Sequence, residues 1–240
     1  MSRALVVLLA ALLGVVLTAR LGVWQLQRAA QKLAVQQALD ERSTLPELTA
    51  SALAVNPQQA SELHYRRVRL RGQWMNPHAV FLDNRPLNGR PGFIVVTPLK
   101  LADSGTAVVV QRGWVPRDAT DRTRLPAVPT PTGEVLVTGL MAPPPSRLYE
   151  FSAAASGAIR QNLDIADYER ETGLRLAPVS VLQDAVPASG DHGLLRQWPQ
   201  PAVDVHKHYG YAFQWFALCA LMTGLYVWFQ LVRPRLQHGA

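Results

Sequence analysis

His206-Lys207-His208-Tyr209-Gly210-Tyr211-Ala212-Phe213-Gln214-Trp215-Phe216 opens the last long apolar segment of the chain. From Tyr209 to Val232, a run of 24 residues, there is no Asp, Glu, Lys, Arg or His. A helix crosses a ~30 Å hydrocarbon core with roughly 20 residues, so this run is long enough to span. Tyr209, Tyr211, Trp215 and Phe216 gather at its start, and Tyr226, Trp228 and Phe229 at its end. Aromatic belts of this kind sit at the headgroup level. Arg233, Pro234 and Arg235 follow, and a proline there is expected to stop the helix. The stretch reads as a transmembrane helix with histidines at its mouth. The competing reading is a buried helix of a soluble protein.

A second apolar run, Ala4 to Ala19, holds 16 uncharged residues, and the pattern resumes after Arg20 with Leu21-Gly22-Val23-Trp24. A cleaved signal peptide competes here, but Leu17 and Ala19 match the small-residue cleavage pattern poorly. Arg20 can snorkel to the interface. A run starting at residue 4 leaves no room for an Arg- and Ser-rich presequence, which points to a bacterial plasma membrane. Two spans put both termini on one side, and Arg3, Arg233 and Arg235 favour the cytoplasm. A long loop translocates largely regardless of its charge. The expected layout is a first transmembrane helix over 1–24, a periplasmic domain over 25–207 that begins with a helix, a second transmembrane helix over 208–232, and a cytoplasmic tail over 233–240.

Small residues recur along both spans: Ala10, Gly14, Thr18 and Gly22 every four positions, and Gly210, Ala217 and Gly224 every seven. Such stripes let backbones approach closely, and the sequence predicts that they face each other. At 100° per residue this turns His208, Tyr211, Trp215, Cys219 and Met222 outward.

The net charge of +7 over 240 residues is less informative than its distribution. All 17 acidic residues lie between Asp40 and Asp204, and the region from Leu21 to Lys207, with 20 Lys and Arg, carries only +3. A nucleic-acid binder concentrates charge on one face of its folded domain, so no nucleic-acid partner is expected; the lipid bilayer is. The single cysteine, Cys219, excludes an internal disulfide.

Gln25 to Arg42 has helical spacing and continues the first span outward, ending before Leu45-Pro46. From His64 the texture is β. Val68, Leu70 and Trp74 alternate with Arg67, Arg69 and Arg71. The arginine face suits either solvent or an acidic partner. Ala79 to Leu82, Phe93 to Thr97, Ala107 to Trp114, Val135 to Leu140 and Pro178 to Leu182 are further strands, with Ile165 to Thr172 a short helix. Turn signals such as Asn88-Gly89 and Pro143-Pro144-Pro145 separate them. The expected fold class is a membrane protein with two transmembrane helices flanking a mainly antiparallel β domain, a small barrel or sandwich.

The sequence carries no nucleophile elbow, zinc-protease helix or phosphate-binding glycine loop, so an enzyme is not expected. Asp83-Asn84-Arg85 and Gln111-Arg112-Gly113-Trp114 are polar clusters beside strands, explained equally by a pocket or by turn chemistry.

Four stretches together resemble a known family. Gly22-x-Trp24-Gln25-Leu26-x-Arg28 closes the first span. Leu82-Asp83-Asn84-Arg85 precedes Gly92-Phe93 and Thr97-Pro98-Leu99. Arg112-Gly113-Trp114-Val115-Pro116 comes next, and His208-x-Gly210-Tyr211-Ala212-x-Gln214-Trp215-Phe216 last. The order and spacing are similar to those of the surfeit-locus-one family of cytochrome c oxidase assembly proteins. The resemblance implies two membrane helices around a periplasmic domain and a role in maturing haem-copper oxidases, by delivering or inserting haem a. Its implied partners are the catalytic subunit of cytochrome c oxidase and the haem a synthesis machinery. In that family the histidine of the last motif is a proposed ligand of the haem iron, and here that position is His208. The chain departs from the pattern at His206, where Asn is usual, and at Tyr209, where Leu is usual.

Imidazole is an ordinary axial ligand of haem iron. The expected haem site is therefore His208 as iron ligand, Tyr211 and Trp215 as aromatic lining, and Lys207 and Arg20 as partners of the propionates. The alternative function is a membrane-anchored scaffold that holds an oxidase subunit without binding haem.

Overall fold

A computed structural model describes residues 2–53, 56–121, 123–149, 157–185, 193–198 and 204–238. His192 lies outside the described residues. The chain divides into two compact units, one of Met1–Gln37 with Pro199–Ala240 and the other of Ala38–Trp198.

The first unit is a pair of long helices. Helix α1, Arg3–Ser43, has 41 residues, about 60 Å at 1.5 Å per residue, and so continues well beyond the length a bilayer core requires. Helix α4, Val205–Val227, is prolonged by a π-helical turn, Trp228–Val232, and a last helix α5, Arg233–His238. Both long helices are apolar enough to cross a membrane, and their most apolar windows are only 6% and 0% buried. That exposure separates them from core helices of a soluble protein, which bury such faces. The expectation that Pro234 stops the helix is corrected: α5 runs through it. The Arg233 amide donates to the Trp228 carbonyl, five residues back. The widened turn relieves the clash a proline ring makes with the carbonyl four residues before it.

The two helices run antiparallel, with Gln25 beside His208, Gly22 beside Phe216, Val15 beside Cys219 and Gly14 beside Met222. The expected meeting of small stripes is half right. On α1, Thr18 and Gly22 are buried, and a Cβ on Gly14 would lie 2.5 Å from Met222 Cε. On α4, Gly210 and Gly224 have open space around them. The notch in α1 is filled by the larger side chains of α4, because a small residue against a large one fills volume that two small residues leave empty. The face carrying His208, Trp215, Cys219 and Met222 therefore turns inward, opposite to the sequence expectation.

The second unit is a β barrel. After the short helix α2 (Pro57–Leu63) come strands β1 (Arg67–Trp74), β2 (Val80–Leu82), β3 (Gly92–Leu101), β4 (Ala107–Pro116), β5 (Glu134–Ala142) and β6 (Ile159–Arg160). Helix α3 (Ile165–Thr172) and strand β7 (Leu176–Gln183) follow. The strand order is β1-β5-β7-β4-β3-β2-β6, and β1 also pairs with β3. That pairing closes β1, β5, β7, β4 and β3 into a five-stranded barrel, the Greek-key arrangement of the OB type. Pairings β4–β7 and β2–β6 are parallel and the other five antiparallel. The barrel form of the expected fold is what forms, with a parallel seam that the sequence reading did not include.

Val68, Leu70, Trp74, Leu99, Leu101, Val108, Val110, Val137, Met141, Val179 and Val181 fill one buried cluster. The outer face of β4 is also covered: Val109 packs with Leu163, Ile165 and Tyr168 around α3, and Val115 with Phe81, Phe93 and Leu194. This double burial explains the unbroken Val108-Val109-Val110 run. The arginines of β1 face away from the core, and two are neutralised, Arg67 by Asp184 at 2.5 Å and Arg69 by Glu47 at 2.8 Å.

Candidate functional site

The polar motifs of the barrel build a structural node. Arg85, only 8% exposed, donates to Ser146 Oγ at 3.1 Å, Ser146 O at 2.7 Å and Gln161 O at 2.9 Å. Trp114 Nε1 donates to Arg85 O at 2.6 Å, which joins the Asp83-Asn84-Arg85 and Arg112-Gly113-Trp114 motifs. Arg112, 3% exposed, stacks on Trp74 at 4.7 Å and donates to Thr130 Oγ1 at 2.7 Å. Burial, with Arg196 nearby, brings its pKa down to about 10. Guanidiniums bound to carbonyls and hydroxyls tie loops down; they present no nucleophile or base. Among the described residues no group of three or more His, Cys, Asp or Glu could hold a bare metal ion.

The other cluster lies in the helical unit. His208 sits one turn into α4 on the face that meets α1, half-buried, with Nδ1 2.8 Å from Gln25 Oε1. A groove of about 550 Å³ is lined by Arg28, Gln31, Lys32, Val35 and His208. Positions 28, 31, 32 and 35 recur at helical spacing, so one flank of α1 supplies four of the five lining residues. That volume falls in the ~300–1,000 Å³ range of ligand sites. Two cationic side chains and one imidazole converge on it. Arg28 also lies 6.0 Å from the Trp24 ring centroid and donates to Gln31 Oε1 at 3.2 Å.

Of the expected site residues, His208 lines this groove and the others do not. Trp215 shares the inward face of α4 two turns further along, and Tyr211 is 51% exposed. Lys207 pairs with Asp204 at 3.0 Å. The hydrogen bond and charge of Lys207, with His206 and Lys32 nearby, hold the Asp204 carboxyl below its usual range. Arg20 is exposed, 200° around α1 from the buried Thr18, and so points away from α4. The cations beside His208 are Arg28 and Lys32 instead. His206 is exposed, 200° around α4 from His208. Gln25 and Arg28 were legible in one respect, since both stand in the Gly22-x-Trp24-Gln25-Leu26-x-Arg28 motif.

Known proteins share sequence with much of this chain. The chain is 28% identical over 169 residues to "Cytochrome oxidase assembly protein SHY1" of Saccharomyces cerevisiae, a match covering 68% of this chain and 43% of that protein. It is 28% identical over 141 residues to "Surfeit locus protein 1" of Xenopus tropicalis, covering 52% of this chain and 45% of that one. The "SURF1-like protein" of Drosophila melanogaster is 26% identical over 235 residues, 90% of this chain and 74% of the relative. The match thus spans a little under half the length of the yeast and frog proteins. The SURF1 family profile matches residues 12–220, which take in the barrel, most of α1 and the His208 end of α4. This chain belongs to the SURF1 family.

Proposed function

We propose that this protein is a membrane-anchored, non-enzymatic assembly factor of cytochrome c oxidase. In this role it holds haem a on His208 and passes it to the catalytic subunit. Both α1 and α4 cross the plasma membrane of a bacterium, with both termini in the cytoplasm and the barrel on the periplasmic side. A relative that bears the name of a cytochrome oxidase assembly protein supports the role.

The observation that carries the haem reading is His208 beside a cation-lined groove. With Gln25 Oε1 accepting from Nδ1, the Nε2 of His208 carries the lone pair that iron binds. Arg28 and Lys32 supply the positive charge that carboxylate side arms of a porphyrin require. Val35 and the stems of the two cations offer apolar surface to the ring. Haem is the cargo, and His208 would supply one nitrogen ligand to its iron. The residues of the chain bind it, orient it and neutralise its carboxylates.

The test is complementation. A strain lacking this protein is supplied with wild type or His208→Ala at matched membrane levels, and haem a per oxidase is read from reduced-minus-oxidised membrane spectra. Loss of haem a in the variant is expected. Full restoration by His208→Ala would leave the scaffold role without haem.

A further inference from the structure

The geometry points to Gln25 as the positioning residue that fixes the tautomer of His208 and makes it a ligand that can let go. The inference rests on the reading of His208 as an iron ligand, and goes beyond it to a residue 183 positions away in the chain.

An imidazole binds a metal through one nitrogen only if the other carries the proton, and what that second nitrogen touches decides the tautomer. Among the described residues, His208 Nδ1 is hydrogen-bonded to Gln25 Oε1 at 2.8 Å. A carbonyl oxygen accepts and cannot donate. With the amide oxygen toward the ring the proton is on Nδ1, and in the neutral imidazole Nε2 then keeps its lone pair. Gln25 is itself held: it lies on the α1 face that also carries the buried Thr18, Gly22 and Ala29. The helix pairing thus delivers the acceptor to the ring.

The choice of an amide has a second consequence. A carboxylate in this place would draw the Nδ1 proton strongly and raise the basicity of Nε2, as in the carboxylate–histidine pairs of resident metal sites. A neutral amide orients the ring with a smaller electronic push. The result is a ligand with fixed direction and moderate strength, suited to cargo that must move on.

The test uses the full chain in detergent micelles, haem-free, labelled with 15N-histidine. Multiple-bond proton–nitrogen spectra identify which ring nitrogen of His208 is protonated, with His208→Ala supplying the assignment. Wild type is expected to show Nδ1 protonated and Nε2 bare. Gln25→Leu, which keeps the volume and the helix propensity, should shift the ring toward the Nε2-protonated form, and Gln25→Glu should retain Nδ1 protonation. Titration with haem follows. Gln25→Leu should bind tenfold to a hundredfold more weakly, the usual cost of losing such a partner. Gln25→Glu should restore binding, lower the midpoint potential and slow release to excess apomyoglobin. A wild-type ring protonated on Nε2, or a tautomer unchanged in Gln25→Leu, overturns the proposal whatever haem does. The expected tautomers in a protein that takes up no haem would overturn the haem reading instead, so the two failures are distinguishable.

Discussion

Gly72→Ala tests the closure of the barrel. Gly72 lies on β1 where it pairs with Leu101 of β3, and the seam has two further pairs, Gln73 with Lys100 and Trp74 with Leu99. A Cβ on Gly72 would sit 2.3 Å from the Lys100 carbonyl oxygen and 3.0 Å from Leu99 Cγ. The nearest obstacle is backbone, so no rotamer change relieves it and the strands must part by about 1 Å to reach an ordinary contact. The seam is flanked by Ala102 N donating to Arg71 O at 3.1 Å and Met75 N donating to Pro98 O at 2.9 Å. An extra ångström takes both beyond the ~3.2 Å at which such bonds hold. At up to ~1.5 kcal/mol each, the two lost backbone bonds cost about 3 kcal/mol together. For a domain of this size that lowers Tm by roughly 6–12 °C. Thermal unfolding followed by tryptophan fluorescence suits the purpose, because Trp74 is on the seam. Leu136→Thr, on a strand position 51% exposed, should stay within ~0.5 kcal/mol of wild type. A Gly72→Ala Tm within 2 °C or so of wild type would refute closure through β1 and β3.

Three other outcomes are expected. Val15→Cys should crosslink to the native Cys219 on mild oxidation in membranes, since Cys219 Sγ lies 3.7 Å from Val15 O; Gly14→Cys with Gly224→Cys in a Cys219→Ser background should not, and the reverse pattern would restore the small-to-small pairing. Arg85→Lys should cost about 2 kcal/mol or more in denaturant, because one ammonium cannot reach the acceptors on Ser146 and Gln161 that the guanidinium fork spans; an unchanged midpoint would remove the node. Arg160 donates to both oxygens of Glu171 at 2.9 Å and holds that carboxyl below its ordinary 4.5. A carboxylate with a lowered native pKa contributes stability above the unfolded value and loses it as pH falls through the native one. Melting temperature should therefore drop more steeply below about pH 4.5 in wild type than in Glu171→Gln, and parallel curves would contradict this.

Much of the barrel was legible because burial there follows local periods. Val68, Leu70 and Trp74 alternate with arginines, and β1 forms with that alternation of burial. Helix α3 starts and stops where expected, since Asp164 accepts from the Ala166 and Asp167 amides and Gly173 closes the helix with φ 67°. What was missed is non-local or too short to show a period. Closure by β1 and β3, the parallel β4–β7 seam and the two-residue β6 depend on distant partners. Helix α2 is set by a capping box between Asn56 and Gln59 in an otherwise featureless Ala- and Ser-rich stretch. The pairing face of α4 was misread because the small-residue rule says that backbones approach, and does not say which side chains fill the notch. At the site, His208 stood out by its motif and its place at the helix mouth. Gln25 and Arg28 were visible only as a span boundary, for no local spacing links them to a histidine at the far end of the chain.

On the proposed function, His208 holds haem a at the head of the helix pair. The most direct measurement is the absorbance spectrum of the full chain purified in detergent after expression with a haem a supply, run beside His208→Ala and His206→Ala at equal protein concentration. Wild type and His206→Ala should carry haem a with the spectrum of a histidine-ligated iron, and His208→Ala should carry little or none. Haem retained in full by His208→Ala, or lost only from His206→Ala, would contradict the central claim.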